Sequence, residues 1–175
     1  MSKEQLADCT VFTVHRERKR AGDREGTFYV LEGGDWVNII PLTTDGDVVM
    51  IEQYRHGSEE VTLEIPGGMV DAGEQPLAAA RREMREETGF DSPDIEFLGR
   101  NAPNPAILRN HCYSFLAEDV EFFSPPSLDG NESIRTRLVP LRDIDGMIAD
   151  GSITHALTIV AFYFFRLRGQ SSKGM

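Results

Sequence analysis

Three glutamates within one short stretch, Glu83, Glu86 and Glu87, are the residues of this sequence best suited to chemistry. They close a segment, residues 64–90, that reads EIPGGMVDAGEQPLAAARREMREETGF: a strand end, a glycine-rich loop, then a helix. Pro76 suits the first turn of a helix, where its missing N–H costs nothing. Leu77 and Ala78 to Ala80 favour helix, and Gly89 ends it as a C-terminal cap. On that helix Glu83 and Glu87 share a face one turn apart, with Glu86 just to the other side of Glu83. Leu77, Ala80, Met84 and Thr88 form a neighbouring stripe expected to pack on a sheet. Three carboxylates within about one turn repel one another unless a cation neutralises them. Hard oxygen ligands suit Mg²⁺ or Mn²⁺, above all when substrate phosphates complete the shell. Gly67, Gly68 and Gly73 permit either positive φ or close approach of backbone to a ligand. The competing reading is a solvated acidic face paired with Arg81, Arg82 and Arg85.

The spacing decides between the two. Gly68, five residues, Glu74, seven residues, Arg82-Glu83-Met84, one residue, Glu86-Glu87, one residue, Gly89-Phe90 resembles the Nudix box, with all seven identity-specified positions matched. A chance match at a given start is of order 10⁻⁸ from ordinary residue frequencies. Met84 and Phe90 stand where the family usually carries Leu, Ile or Val, and both still bury an apolar body. The resemblance implies an α+β fold, an α/β/α sandwich with a mixed sheet flanked by helices. It also implies a divalent-metal hydrolase that splits a nucleoside diphosphate linked to another moiety. The metal ligands implied are Glu83, Glu86, Glu87 and the main-chain carbonyl of Gly67, with Mg²⁺ as the ion and Mn²⁺ as its alternative. Glu74 and Arg82 are implied as supports of that set.

Two flanking segments narrow the resemblance. EQYRHG at 52–57 and EIPGG at 64–68 look like the ADP-ribose pyrophosphatase branch of the family. That branch places Arg55 and Glu64 at the substrate, Arg55 on its diphosphate; a plain surface ion pair is the alternative. Pro105, in the loop NAPNP, fits the place of a proline that ADP-ribose-type members carry beyond the box. Glu132, in the loop LDGNES, fits the place of an acid that helps a metal or serves as general base. A loop can deliver such a base when substrate closes the site. Trp36 offers a face on which a base could stack, with core packing as the alternative. The reaction implied is hydrolysis of ADP-ribose to AMP and ribose 5-phosphate. The alternatives are a GDP-mannose or broad nucleotide-sugar hydrolase, a hydrolase of modified nucleoside triphosphates, and a catalytically silent nucleotide-sugar sensor.

Composition sets the outer bounds. The 175 residues carry 18 basic and 29 acidic side chains, a net charge of −11, which argues against nonspecific nucleic-acid binding. The length suits one domain with a single substantial core. Cys9 and Cys112 are expected as free thiols in a reducing compartment. No run reaches the ~18 apolar residues of a membrane span, and the first residues lack the apolar stretch of a signal peptide. A cytoplasmic protein is the expectation.

Around the box the pattern predicts strands at 8–15, 27–31, 36–41, 48–54, 61–65, 95–99, 111–117 and 134–140. Turns are expected at 22–26, at 33–35 and at Asp45-Gly46. Helices are expected at 141–150 and 153–167, the last capped by Ser152 or Thr154. Phe122 and Phe123 are expected to pack a loop on the core. Residues 1–35 are read as a hairpin extension serving homodimerisation, 36–167 as the core, and 168–175 as a frayed tail.

Overall fold

The computed structural model describes residues 2–128 and 133–168. In chain order the strands are β1 (Ser2–Asp8), β2 (Phe12–Ala21), β3 (Arg24–Gly33), β4 (Trp36–Pro41), β5 (Asp47–Arg55), β6 (Glu60–Glu64) and β7 (Gly67–Met69). After helix α1 (Pro76–Thr88) come β8 (Phe90–Asp91), β9 (Ile95–Asn101), β10 (Leu108–Arg109), β11 (Cys112–Ala117), β12 (Glu121–Phe122) and β13 (Ile134–Pro140). A 3₁₀ turn at Leu141–Asp143 leads into α2 (Ile144–Ala149), and α3 (Ala156–Leu167) follows.

Strand β4 is the spine of the molecule. It lies in a mixed four-stranded sheet of order β7-β4-β11-β9, parallel to β11 and antiparallel to β7. Beside it runs an antiparallel sheet of order β13-β5-β6. Successive side chains of a strand point to opposite faces, and both faces of β4 are covered. Val37 and Ile39 join Ala79, Ala80 and Met84 of α1 in one apolar cluster. Ile40 joins Ile144, Ala161 and Phe162 of α2 and α3 in the other. Strand β5 divides in the same way, Val49 toward α1 and Met50 toward α3. A strand buried on both faces reads as a near-continuous apolar run, which is how WVNIIP and DVVMI read in the sequence. Helix–sheet–helix layering of the expected kind results.

The first strands differ from expectation. A tight turn at residues 9–11 separates β1 from β2, so no single strand covers 8–15. β2 continues through the basic run to the turn at Gly22, and β3 pairs with it along its length. This antiparallel meander is extended by β10, which joins β3 in parallel. SKEQLAD carries no apolar alternation; β1 is exposed throughout and is held by backbone pairing and by surface ion pairs such as Arg16–Glu4.

Three further expectations are corrected. α3 begins at Ala156, three residues late, because Ile153 reaches the core from the segment before the helix; His155, and neither Ser152 nor Thr154, is at the cap position. Phe122 and Phe123 are exposed, Phe122 edge-on to Phe90 and Phe123 under the Arg85 guanidinium. Leu77 is 48% exposed, so the buried stripe of α1 is Ala79, Ala80, Met84, Glu87 and Thr88. Among the described residues no helix is long and apolar enough to cross a membrane.

Candidate active site

The loop that leads into α1 is glycine-rich for two different reasons. Gly67 and Gly68 form β7 against Asn38 and Val37 of β4. A Cβ on Gly67 would lie 2.3 Å from the Val37 carbonyl oxygen, and one on Gly68 would lie 2.4 Å from the Glu83 carboxylate. Both positions therefore need glycine for close approach. Gly73 needs it for conformation, with φ of +85° in the turn before the helix. Pro76 opens α1, and Gly89 closes it at φ +77° with its N–H on the Arg85 carbonyl.

The helix glutamates are tied to this loop. Glu87 is 3% exposed, and its Oε2 accepts a hydrogen bond of 2.9 Å from the Gly67 N–H. Arg82 links loop and helix from the side. Its Nη1 donates to Glu83 Oε1 at 2.8 Å and to Glu86 Oε2 at 3.1 Å. Its Nε and Nη2 donate to the two Glu74 oxygens, and Nη2 also reaches the Met69 carbonyl. The Arg82 bonds, despite partial desolvation, hold Glu74 below the usual carboxylate range, aided by the Asp71 N–H. The same partners, Glu74 first, raise Arg82 further above its already high value. On the opposite flank Arg81 grips Asp91 of β8 with bonds of 2.7 and 2.9 Å, and Arg85 donates to the same carboxylate. These arginines lower the Asp91 pKa to about 2.

Beside the loop lies a cavity of about 490 Å³, lined among others by Trp36, Arg55, Glu64, Gly67, Gly68 and His155. Arg55 and Glu64 form a two-bond pair, Nε to Oε1 at 2.8 Å and Nη2 to Oε2 at 2.6 Å. Glu64 is 2% exposed, so this is no surface pair. Burial opposes its charged form, yet Arg55, His155 and the Thr62 hydroxyl together hold its pKa below the ordinary value. The Gln53 carbonyl, 3.3 Å from Thr62 Oγ1, is a second acceptor within reach of the same hydroxyl proton.

The predicted residues are therefore partly assembled. Gly67 with Glu87, and Arg82 with Glu74, Glu83 and Glu86, form two bonded sets on the same loop and helix, and Arg55, Glu64 and Trp36 line the cavity beside them together with Gly67. Pro105 sits on an exposed turn before β10, outside the cavity lining. Glu132 lies outside the described residues. Sequence reasoning did not anticipate that Phe12 of β2 and Leu31 of β3 would help wall the cavity; it saw that His155 could approach a ligand but favoured an ordinary role, and His155 lines the cavity. Only the apolar character of Phe12 and Leu31 and the place of His155 near the start of the expected last helix hinted at these roles.

Among the described residues no three His, Cys, Asp or Glu side chains converge as a ready cation cage; Arg82 instead binds both Glu83 and Glu86. The donor set nevertheless fits a hard divalent cation: carboxylates and a backbone carbonyl, with no thiolate or imidazole among them. A description of the NUDIX domain matches residues 35–159. The chain is 26% identical over 174 residues to an ADP-ribose pyrophosphatase of Bacillus subtilis (strain 168), covering 96% of this chain and 92% of that protein. It is 30% identical over 158 residues to the ADP compounds hydrolase NudE of Escherichia coli (strain K12), covering 88% and 77%. A crystal structure of an ADP compounds hydrolase superposes with a TM-score of 0.83 at 25% identity, over 97% of this chain and 94% of the other. With box, fold and relatives in agreement, the chain belongs to the Nudix hydrolase family.

Proposed function

We propose that this protein hydrolyses the pyrophosphate bond of a nucleoside diphosphate sugar, with ADP-ribose as substrate and AMP and ribose 5-phosphate as products. The observation that carries the reading is the placement of the Arg55–Glu64 pair in the wall of the cavity that also includes Gly67 and Gly68. A diphosphate needs fixed cationic partners, and an arginine oriented by a buried carboxylate is pre-organised for that task. The names of the relatives, an ADP-ribose pyrophosphatase and an ADP compounds hydrolase, point to the same substrate class.

Glu83, Glu86, Glu87 and the Gly67 carbonyl would hold Mg²⁺, with Mn²⁺ as a substitute. When bound, such an ion neutralises phosphate charge and lowers the pKa of water. The chain's own part is positioning. Glu87 is held by the Gly67 N–H and Glu83 by Arg82, so both carboxylates have set orientations before substrate arrives. Arg55 binds the diphosphate, Trp36 offers a face to the base, and Pro105 shapes the loop beyond the box. Glu132 is the proposed general base.

Residues 36–167 would act as the catalytic core. Residues 1–35 would form the contact of a homodimer, in keeping with the exposed Leu6, Phe28 and Tyr29 on the meander. The protein would work in the cytoplasm. The direct test is a panel of ADP-ribose, GDP-mannose and an oxidised dGTP at equal concentration with Mg²⁺, products identified by mass spectrometry. AMP and ribose 5-phosphate from ADP-ribose, formed fastest, is the expected outcome; faster cleavage of the triphosphate overturns the reading.

A further inference from the structure

His155 stands at the N-cap position of α3 but makes no side-chain capping bond. It lines the same cavity as Arg55 and Glu64. Its Nδ1 lies 3.3 Å from Thr158 Oγ1 and 3.6 Å from Glu64 Oε2. These contacts decide where the proton of the neutral ring resides. A lone pair on Nδ1 would face the Glu64 carboxylate, whereas an N–H there is attracted to it. Thr158 Oγ1 already accepts from the Ile65 N–H at 3.4 Å and has a second lone pair for Nδ1–H. The carboxylate thus favours the Nδ1–H tautomer, which leaves the lone pair on Nε2. Nε2 has no hydrogen-bond partner among the described residues and is not among their buried unsatisfied atoms, so it is the ring atom left for the cavity.

We propose that His155 is a specificity-determining residue whose Nε2 accepts a hydrogen bond from a sugar hydroxyl on the moiety linked to the diphosphate. A neutral acceptor repels phosphoryl oxygens and suits an O–H donor, while the neighbouring Arg55 is the cation suited to phosphate. The charged groups acting on the ring are Glu64 of β6 and Arg55 of β5. Burial and Arg55 together outweigh Glu64 and hold the imidazole below its ordinary pKa, so the acceptor form prevails at neutral pH. The assignment rests on the hydrolase reading given above.

The test compares ADP-ribose with the ethyl ester of ADP, which keeps the diphosphate linkage and lacks hydroxyls on the second moiety. In the full-length protein, His155→Phe is expected to raise KM for ADP-ribose about 5- to 10-fold more than for the ester, the worth of one hydrogen bond. His155→Gln, whose amide oxygen supplies an acceptor, should recover part of that preference. Lowering the pH from about 7.5 to 5.5 should erode the parent's preference for ADP-ribose as Nε2 gains a proton, with no such trend in His155→Phe. An equal rise in KM for both compounds, or a preference that sharpens in acid, overturns the assignment. Calorimetric binding of both compounds in EDTA separates this proposal from the hydrolase reading. Selective binding lost in His155→Phe without any turnover by the parent sinks the hydrolase reading alone. Turnover with unchanged selectivity sinks the His155 assignment alone, and failure of the parent to bind either compound in EDTA together with no turnover of either in Mg²⁺ sinks both.

Discussion

At the scale of single residues, Gly67 and Gly68 make a sharp pair of tests, because identical substitutions there meet different neighbours. A methyl on Gly67 runs into the Val37 carbonyl and the Asn38 backbone of a buried strand. Gly67→Ala should therefore cost about 1–3 kcal/mol of stability, visible as a lowered midpoint in thermal unfolding. A methyl on Gly68 meets only the end of the Glu83 side chain. Gly68→Ala should leave the unfolding midpoint nearly unchanged while displacing a carboxylate proposed to hold the metal, so turnover should fall with the fold intact. Glu83→Gln and Glu87→Gln should each lower kcat/KM by more than about 100-fold, and Arg82→Ala by about 10- to 100-fold through lost support. Parent rates in both glutamine variants, with unchanged circular dichroism, would remove these residues from the site.

At the scale of elements, helix α1 is held on both flanks: by Arg82 to the glycine loop on one side, and by Arg81 and Arg85 to Asp91 of β8 on the other. The Asp91 pKa is depressed, from 3.8 to about 2 in the folded protein. A depressed carboxylate contributes stability that is complete above its unfolded value and is lost as pH falls through its folded value. Stability should accordingly drop between about pH 4 and pH 2, and Asp91→Asn should remove that part of the acid dependence in thermal melts. Both arginines are more than one-third exposed, so solvent screening keeps the size of this effect modest. The bounds of α1 were readable because Pro76 and Gly89 punctuate its ends with local chemistry. The short strand at Gly67–Met69 was not, since Gly-Gly has no strand propensity and pairs only because β4 lies alongside. For the same reason the polar β1 escaped a periodicity search, and Ile153 drew the predicted start of α3 too early.

At the scale of the whole molecule, the N-terminal meander and the core share the cavity. Val11, Phe12 and Leu31 come from the meander, while Arg55, Gly67 and His155 come from the core. Phe12→Ala should thus raise KM for ADP-ribose while kcat stays within about threefold, since an apolar wall contact acts on binding more than on the chemical step. The exposed Leu6, Phe28 and Tyr29 of the same meander fit the proposed homodimer contact. Light scattering behind size exclusion should return about twice the 19.6 kDa chain mass, and a monomer at high concentration would refute the dimer.

What the sequence determined alone was the loop-and-helix unit from Gly68 to Phe90 that carries the family's motif. Its geometry is local: a helix places residues three and four apart side by side whatever surrounds it, so spacing was enough to bring Glu83, Glu86 and Glu87 together. What only the tertiary structure decided was the company this unit keeps. Phe12, Arg55, Glu64 and His155 meet around one cavity although much of the chain separates them. Whether Glu64 stays charged, and which nitrogen of His155 is left for the cavity, depends on burial and on the through-space distance to neighbouring charges. Neither quantity is written in the order of residues.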